Sequence, residues 1–231
     1  WGIRNATTNR IEADQDRFPD GMPHLLSTLH RMGFKVGLYT DMGVGGCHAP
    51  FTGSWPFYTQ DAHDFASWGL DYIKFDYCNP PSGHKPEDLT ANMSRALLTA
   101  AAGSKSKVDH IWFQFHCNNL TFVNAQCGVL GDSFRILDDH IDAWYSTLRV
   151  SKQLQQREAW WGGDDPAKQG WPDPDFIYTG GQGCKEDHTP GVRCPGQTEA
   201  EYRSEFGIWA IAGGQLVFAS DPRNMSDVQR A

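Results

Sequence analysis

LDYIKFDYC, residues 70–78, reads as a buried strand with an oddity in it. Its middle is apolar and aromatic, yet Lys74 and Asp76 stand two residues apart, which puts both on one face of an extended chain. A cation and an anion sharing one face of a core strand call for a reason, and the rest of the sequence supplies it.

Five other apolar runs are spaced along the chain, at residues 34–41, 111–116, 134–139, a weaker one at Phe176 and Ile177, and 215–221. Between them lie stretches of helical periodicity. Residues 21–32 carry Met22, Leu25, Leu26, Leu29 and Met32, and residues 58–68, 86–102, 141–161 and 198–212 have the same character. Pro86 followed by Glu87 and Asp88 suits a helix N-terminus. Strands alternating with helices predict βα units and a parallel sheet. The fold class is therefore α/β, and spacings of about 25–45 residues between strand ends fit the units of a (β/α)8 barrel. Asp41, Asp76, Asp139 and Asp221 each close an apolar run, and Asp175 stands before one. In such a barrel all C-terminal strand ends meet at one mouth, so the charges of 70–78 belong there. A helix N-cap is the bland reading of any one of these acids; the repetition favours a site.

Composition narrows the classes. The 231 residues are 39% hydrophobic and 21% charged, enough for one domain with a sizeable core, and the net charge is −8 without any basic block. That argues against nucleic acid as a partner. No apolar run approaches the roughly 20 residues needed to span a bilayer, so no membrane partner is expected. Six cysteines, none in a CxxC, read better as three disulfides than as a zinc site. Asn5, Asn92, Asn119 and Asn224 each open an N-x-S/T sequon. Disulfides and sequons together predict a eukaryotic secretory route, to the outside, a lysosome or a vacuole. The chain starts with Trp-Gly rather than Met and has no signal-peptide pattern, so it is expected to be cut from something longer.

Two carboxylates flanking a glycosidic bond suffice for its hydrolysis, one ionised and one protonated. Lys74 would keep Asp76 ionised. Arg135, four residues before Asp139, would return to the same strand face as that acid, while Asp138 would turn toward the helix layer. Structural ion pairs are the alternative. No paired histidines, no serine elbow and no phosphate-loop lysine occur, so no metal and no cofactor are expected. The glycine-rich segment 43–46 reads as a flexible loop at the mouth.

These residues resemble glycoside hydrolase family 27, the α-galactosidases and α-N-acetylgalactosaminidases. The likeness runs in order through EADQDRFPDG (12–21), GLYTDMG (37–43), DAHDFASWGLD (61–71), KFDYC (74–78), GWPDPD (170–175) and WAIA (209–212). The resemblance implies a (β/α)8 TIM barrel, a β-sandwich domain after it, and double displacement with retention. It assigns Asp76 as nucleophile and Asp139 as acid/base, the latter flanked by Arg135 and Trp144 at the family's spacings. Tyr39, Lys74, Arg135 and Asp175 match sugar-contacting positions. Cys47 and Cys78 match a disulfide beside the nucleophile and are counted with the substrate-binding residues. The two acids are then expected to face each other about 5–5.5 Å apart.

There are departures. FHCNN (115–119) replaces the family's Cys-Glu-Trp, which reads the sugar's 2-substituent, so His116 or Asn118 takes that place. Pro172 replaces an Asn, Phe176 a Met, and residues 180–195, with their own cysteine pair, resemble an insertion. The chain as a whole, 1–231, reads as about strands 3 to 8 of an incomplete barrel, without its first two strands, the Asp-Asp pair on the second of them, or the sandwich domain. The expected activity is removal of terminal α-linked galactose from a carbohydrate substrate, with a homodimer as candidate assembly. Alternatives are an α-N-acetylgalactosaminidase, a β-L-arabinopyranosidase, an enzyme acting on α-glucans, or an inactive carbohydrate-binding relative.

Overall fold

In the computed structural model, residues 2–47, 51–103, 105–117, 127–155, 170–181, 183 and 194–230 are described. The chain divides into two compact units, one of Trp1–Val123 with Val129–Asp132, the other of Asn124–Gly128 with Ser133–Ala231.

The first unit opens with an antiparallel pair that the sequence reading missed, β1 (Gly2–Arg4) and β2 (Ile11–Ala13). Three residues each are too few to leave a periodic signal. Arg4 fastens this pair to the helix α2 (Tyr58–Trp68) through a bidentate bridge to the buried Asp61 at 2.7 and 2.9 Å, and Arg10 pairs with Asp64 on the same helix.

The body of the unit is a parallel sheet of β3 (Gly37–Asp41), β4 (Tyr72–Asp76) and β5 (Trp112–His116), in that order. The helices α1 (Gly21–Arg31), α2 and α3 (Pro86–Ala101) fall within a residue of their expected bounds. Gly69, at φ 88°, closes α2 in the left-handed conformation that a side chain resists. Asp71 then joins three elements ahead of β4: it accepts hydrogen bonds from Lys35 at 2.8 Å, from the Val36 amide at 2.9 Å, and meets His30 of α1 at 2.7 Å.

Register sorts the two faces of this sheet. Tyr39 pairs with Lys74 and Lys74 with Gln114, so these three form one cross-strand row. Asp41 pairs with Asp76 at the strand ends, and His116 follows next on β5. The opposite face is apolar: Ile73, Phe75, Phe113 and Phe115 are buried, with Tyr58 against Phe75 at 5.7 Å and Phe75 against Phe113 at 5.6 Å between ring centroids. The strand of 70–78 thus buries one face by hydrophobic packing and gives the other to charge.

The second unit contains the parallel pair β6 (Ser133–Arg135) and β7 (Trp171–Asp173). Its helices are α5 (Trp144–Leu154), α6 (Glu199–Ala212) and the one-turn α7 (Asp227–Arg230); the short turn α4 (Cys127–Leu130) precedes β6. Val150, Ile177 and Trp209 form its core, with Leu137, Leu154 and Ile208 against them. A reciprocal cap starts α6: the Glu201 amide donates to Thr198 Oγ1, and the Thr198 amide donates to Glu201.

Several expectations change here. The strand lies at 171–173, not at Phe176–Ile177, because Pro174 cannot donate to a ladder and Asp175 turns left-handed at φ 77°. Asp175 therefore follows a strand instead of preceding one. Run 215–221 makes a single bridge, Phe218 with Ile177, and Asp221 caps a 3-10 turn over Pro222–Asn224 by accepting from the Arg223 amide at 2.9 Å. The bland reading wins for that acid. The helix expected over 141–161 is described only as α5; residues 156–161 lie outside the described set, as do Asn118, Asn119 and most of 180–195. No helix among the described residues is long and apolar enough to cross a membrane.

Candidate active site

In the first unit, Asp76 ends β4 with both carboxylate oxygens occupied. Oδ1 accepts the Tyr77 amide at 2.9 Å and faces His116 Nε2 at 2.9 Å. Oδ2 accepts the Tyr39 hydroxyl at 2.8 Å. Burial pushes the acid up, but the hydrogen bond and charge of His116, the charge of Lys74 and the Tyr77 N–H outweigh it and hold Asp76 below the usual carboxylate range. Tyr39 moves the other way: burial and then the charge of Asp76 raise its phenol, so it stays a proton donor. The cation that looked out of place on the strand is one of the groups keeping its neighbour ionised.

Cys47 and Cys78 form a disulfide with Cα atoms 5.1 Å apart, as the resemblance implies. Cys47 Sγ lies 3.2 Å from Asp76 Oδ2 and 3.3 Å from the Tyr39 hydroxyl. A disulfide sulfur carries no proton, so its approach to the carboxylate is contact, not donation. Cys117, Cys127 and Cys194 are disulfide-bonded too, and no described cysteine is free. Asp41, Cys47, Asp76 and Cys78 bring four metal-type donor atoms together, but two are disulfide sulfurs, which offer no thiolate.

Asp41 was visible in sequence only as a strand-closing acid. It is fully buried, and its two oxygens accept the Gly43 amide at 2.7 Å and the Cys78 amide at 2.8 Å. One side chain therefore ties the loop after β3 to the loop after β4. The glycine-rich segment is packed, not flexible: a side chain at Gly43 would run into the Asn79 carbonyl, and one at Gly53 into that of Gly43. Burial, opposed by the two amides and reinforced by Asp76, pushes Asp41 up to about 7. The folded state thus keeps a proton that the unfolded chain releases near its ordinary value. Stability from this group is present below about pH 4 and is lost as pH rises toward 7. Denaturant midpoints of wild type and Asp41→Asn, compared across that window, should show the wild type losing on the order of 2–4 kcal/mol relative to the variant. A difference that does not change with pH would contradict the assignment.

In the second unit, Arg135 ends β6 and is buried with Asp175. Its Nη2 forms an ion pair with Asp175 Oδ2 at 2.7 Å and donates to Asp139 Oδ1 at 3.3 Å and to the Leu137 carbonyl at 3.1 Å. Asp139 was expected on the same strand face as Arg135. The strand ends at Arg135 instead, and the chain turns, so the contact is made across a loop and leaves the Asp139 side chain 86% exposed. Asp138 turns toward Arg149 of α5, 3.8 Å away, as expected. Asp175 also accepts the His140 amide at 2.7 Å, its amide donates to Asp173 at 2.8 Å, and Trp209 Nε1 donates to its carbonyl at 2.7 Å. Burial raises Asp175 in spite of Arg135, with Asp173 and Asp139 adding to the rise. This many ties hold a non-glycine residue in the left-handed region, at a cost of order 1–3 kcal/mol that commonly marks a functional position.

Sequence reasoning missed the layer beneath. His140 is enclosed between Ser146, 2.7 Å from Nδ1, and Glu205, 2.9 Å from Nε2. Glu205 also receives Thr179 and the Tyr178 amide. The signal existed: Tyr202, Glu205, Trp209 and Ala212 form the buried stripe of α6, so an acid stands at a core position of that helix.

Carboxylates on the C-terminal ends of parallel strands, one kept ionised in spite of its surroundings' low exposure, place this chain in the class of α/β proteins with an acidic strand-end site. The comparisons specify it. A family model described as Alpha galactosidase A (Melibiase_2) matches residues 3–231, and the chain belongs to this family. It is 31% identical over 229 residues to α-galactosidase 2 of Arabidopsis thaliana, covering 99% of this chain and 51% of that protein. The structure of a Bacteroides fragilis protein described as an α-galactosidase/melibiase superposes with a TM-score of 0.79 at 28% identity, covering 99% of this chain and 47% of that one. The α-galactosidase of Saccharomyces cerevisiae, solved with raffinose, superposes at 0.72 and 19% identity, covering 99% and 51%. The fold is accordingly the α/β barrel of this family, of which the chain carries part. The chain spans about half the length of the curated relatives it matches.

Proposed function

We propose that the protein is a retaining exo-glycosidase that removes terminal α-linked galactose from oligosaccharides or glycoconjugates. The observation that carries this is Asp76: a half-buried strand-end carboxylate held ionised by His116 and Lys74, with Tyr39 on its second oxygen. Such a group is poised to attack a carbon. Asp76 bonds to the anomeric carbon as the glycosidic bond breaks, and Asp139, outside the buried part of its cluster, donates the proton taken by the leaving oxygen. In the second step Asp139 accepts a proton from water, whose oxygen displaces Asp76, and two inversions give net retention. Lys74, Tyr39, Arg135 and Asp175 contact sugar hydroxyls in this reading, and the disulfide Cys47–Cys78 fixes the wall beside Asp76.

The disulfides and the exposed sequon asparagines Asn92 and Asn224 support a secretory route to a lysosome, a vacuole or the outside. The full-length protein should hydrolyse an aryl α-galactoside faster than aryl N-acetyl-α-galactosaminide or aryl β-L-arabinopyranoside. Proton NMR of the fresh product should show the α anomer first. Inverted product would refute double displacement, and turnover of none of the three would leave a sugar-binding relative.

A further inference from the structure

We propose that His116 is a positioning residue for the second half of the reaction: its Nε2 holds Asp76 Oδ1 and stabilises the carboxylate as it departs from the glycosyl-enzyme. This rests on the reading of Asp76 as nucleophile given above.

The geometry is local to the first unit. His116 closes β5, in the row that carries Asp41 and Asp76 at the ends of β3 and β4. Its Nε2 is 2.9 Å from Oδ1, and the two side chains are only 9% and 16% exposed. Water has little room to replace the imidazole. The Tyr77 amide shares Oδ1 at 2.9 Å, and Tyr39 holds Oδ2. The imidazole that was expected, with Asn118 as the alternative, to read the sugar's 2-substituent faces the nucleophile.

The two chemical steps load this contact unequally. In the first, an Asp76 oxygen bonds to the anomeric carbon, the glycosidic bond breaks, and its oxygen takes the proton of Asp139. The carboxylate charge vanishes into an ester, so a hydrogen bond to Oδ1 weakens. In the second, water transfers a proton to Asp139 as its oxygen bonds to the anomeric carbon. The bond from that carbon to Asp76 breaks, and the electron pair returns to the carboxylate. The hydrogen bond from Nε2 strengthens as charge returns, because donors bind an anion more tightly than an ester oxygen. An interaction stronger in the transition state than before it accelerates that step. His116 should therefore favour deglycosylation and do little for glycosylation.

The test uses the full-length protein and an aryl α-galactoside with a good leaving group, which makes the first step fast. In His116→Ala, kcat should fall about 10- to 100-fold. The ratio kcat/KM, which reports the first step, should change far less. Quenched steady-state samples should carry a hexose on Asp76, located by peptide mass mapping. His116→Gln, whose amide can reach the same oxygen, should recover part of kcat, and if the alanine variant does not fold, the glutamine variant decides alone by the same split. Parallel loss of kcat and kcat/KM without accumulated glycosyl-enzyme would overturn the role of His116. A hexose trapped on a residue other than Asp76 would instead overturn the nucleophile assignment, and this proposal with it.

Discussion

Asp76→Asn should lower turnover of aryl α-galactosides by about four orders of magnitude or more while leaving the fold intact. The carboxylate is costly to bury and is kept ionised by His116, Lys74 and the Tyr77 amide. An amide of the same shape keeps one acceptor oxygen but gives up the charge that these donors favour, so some stability is lost, while the apolar face of β4 still holds the strand in the sheet. It is also a very poor nucleophile toward an anomeric carbon. A single cooperative unfolding transition at a somewhat lower midpoint, with sugar binding retained and turnover gone, would separate a chemical role from a structural one. Asp76→Gly adds a stereochemical check. A small external anion such as azide, entering the vacated space, should be glycosylated on the face that Asp76 attacks, giving a β-configured galactosyl azide detectable by NMR. Turnover by Asp76→Asn at the wild-type rate would remove Asp76 from the mechanism.

Arg135→Ala should cost about 3–5 kcal/mol of stability, a fall in melting temperature of roughly 6–20 °C for a domain of this size. Arg135 and Asp175 have side chains 6% and 7% exposed and meet at 2.7 Å. Asp173 and Asp139 both raise Asp175 further, so loss of the guanidinium removes the cation that offsets them. Asp175 would then fold only protonated, and stability would drop most at neutral pH. The double variant Arg135→Met with Asp175→Leu should recover much of the loss, since replacing a buried pair by apolar groups of similar volume is often neutral or better. It should not recover activity, because both groups contact the sugar in the proposed reaction. Thermal and denaturant unfolding of the three proteins checks this; an Arg135→Ala variant within 1 kcal/mol of wild type, a stringent margin against that estimate, would mean that the pair contributes little.

The strand–helix alternation was legible because its elements are long enough to show a period. Residues 58–68 and 86–101 could be bounded almost to the residue, the latter by its Pro and two acids. The charged face of 70–78 was equally plain, since strand alternation is strict. What failed was short or non-local. β7 was displaced because Pro and Asp residues at 172–175 look like a turn, and only its neighbour β6 reveals Trp171–Asp173 as paired. The flexible reading of 43–46 failed because a run of glycines has two opposite causes, freedom or crowding, and only the carbonyl of Asn79 distinguishes them. The partners of Asp41, two backbone amides in separate loops, leave no trace in composition.

That crowding bears on how the substrate range of this protein could be altered. Gly43 and Gly53 are bolted to one another and to Asn79 by atoms that cannot move aside. A library randomising the whole segment would therefore consist mostly of misfolded clones. Val44 and Phe51, which project outward between those fixed points, are 64% and 38% exposed. Diversity concentrated there would vary the exposed surface of this loop while the frame that aims Asp76 stays as it is.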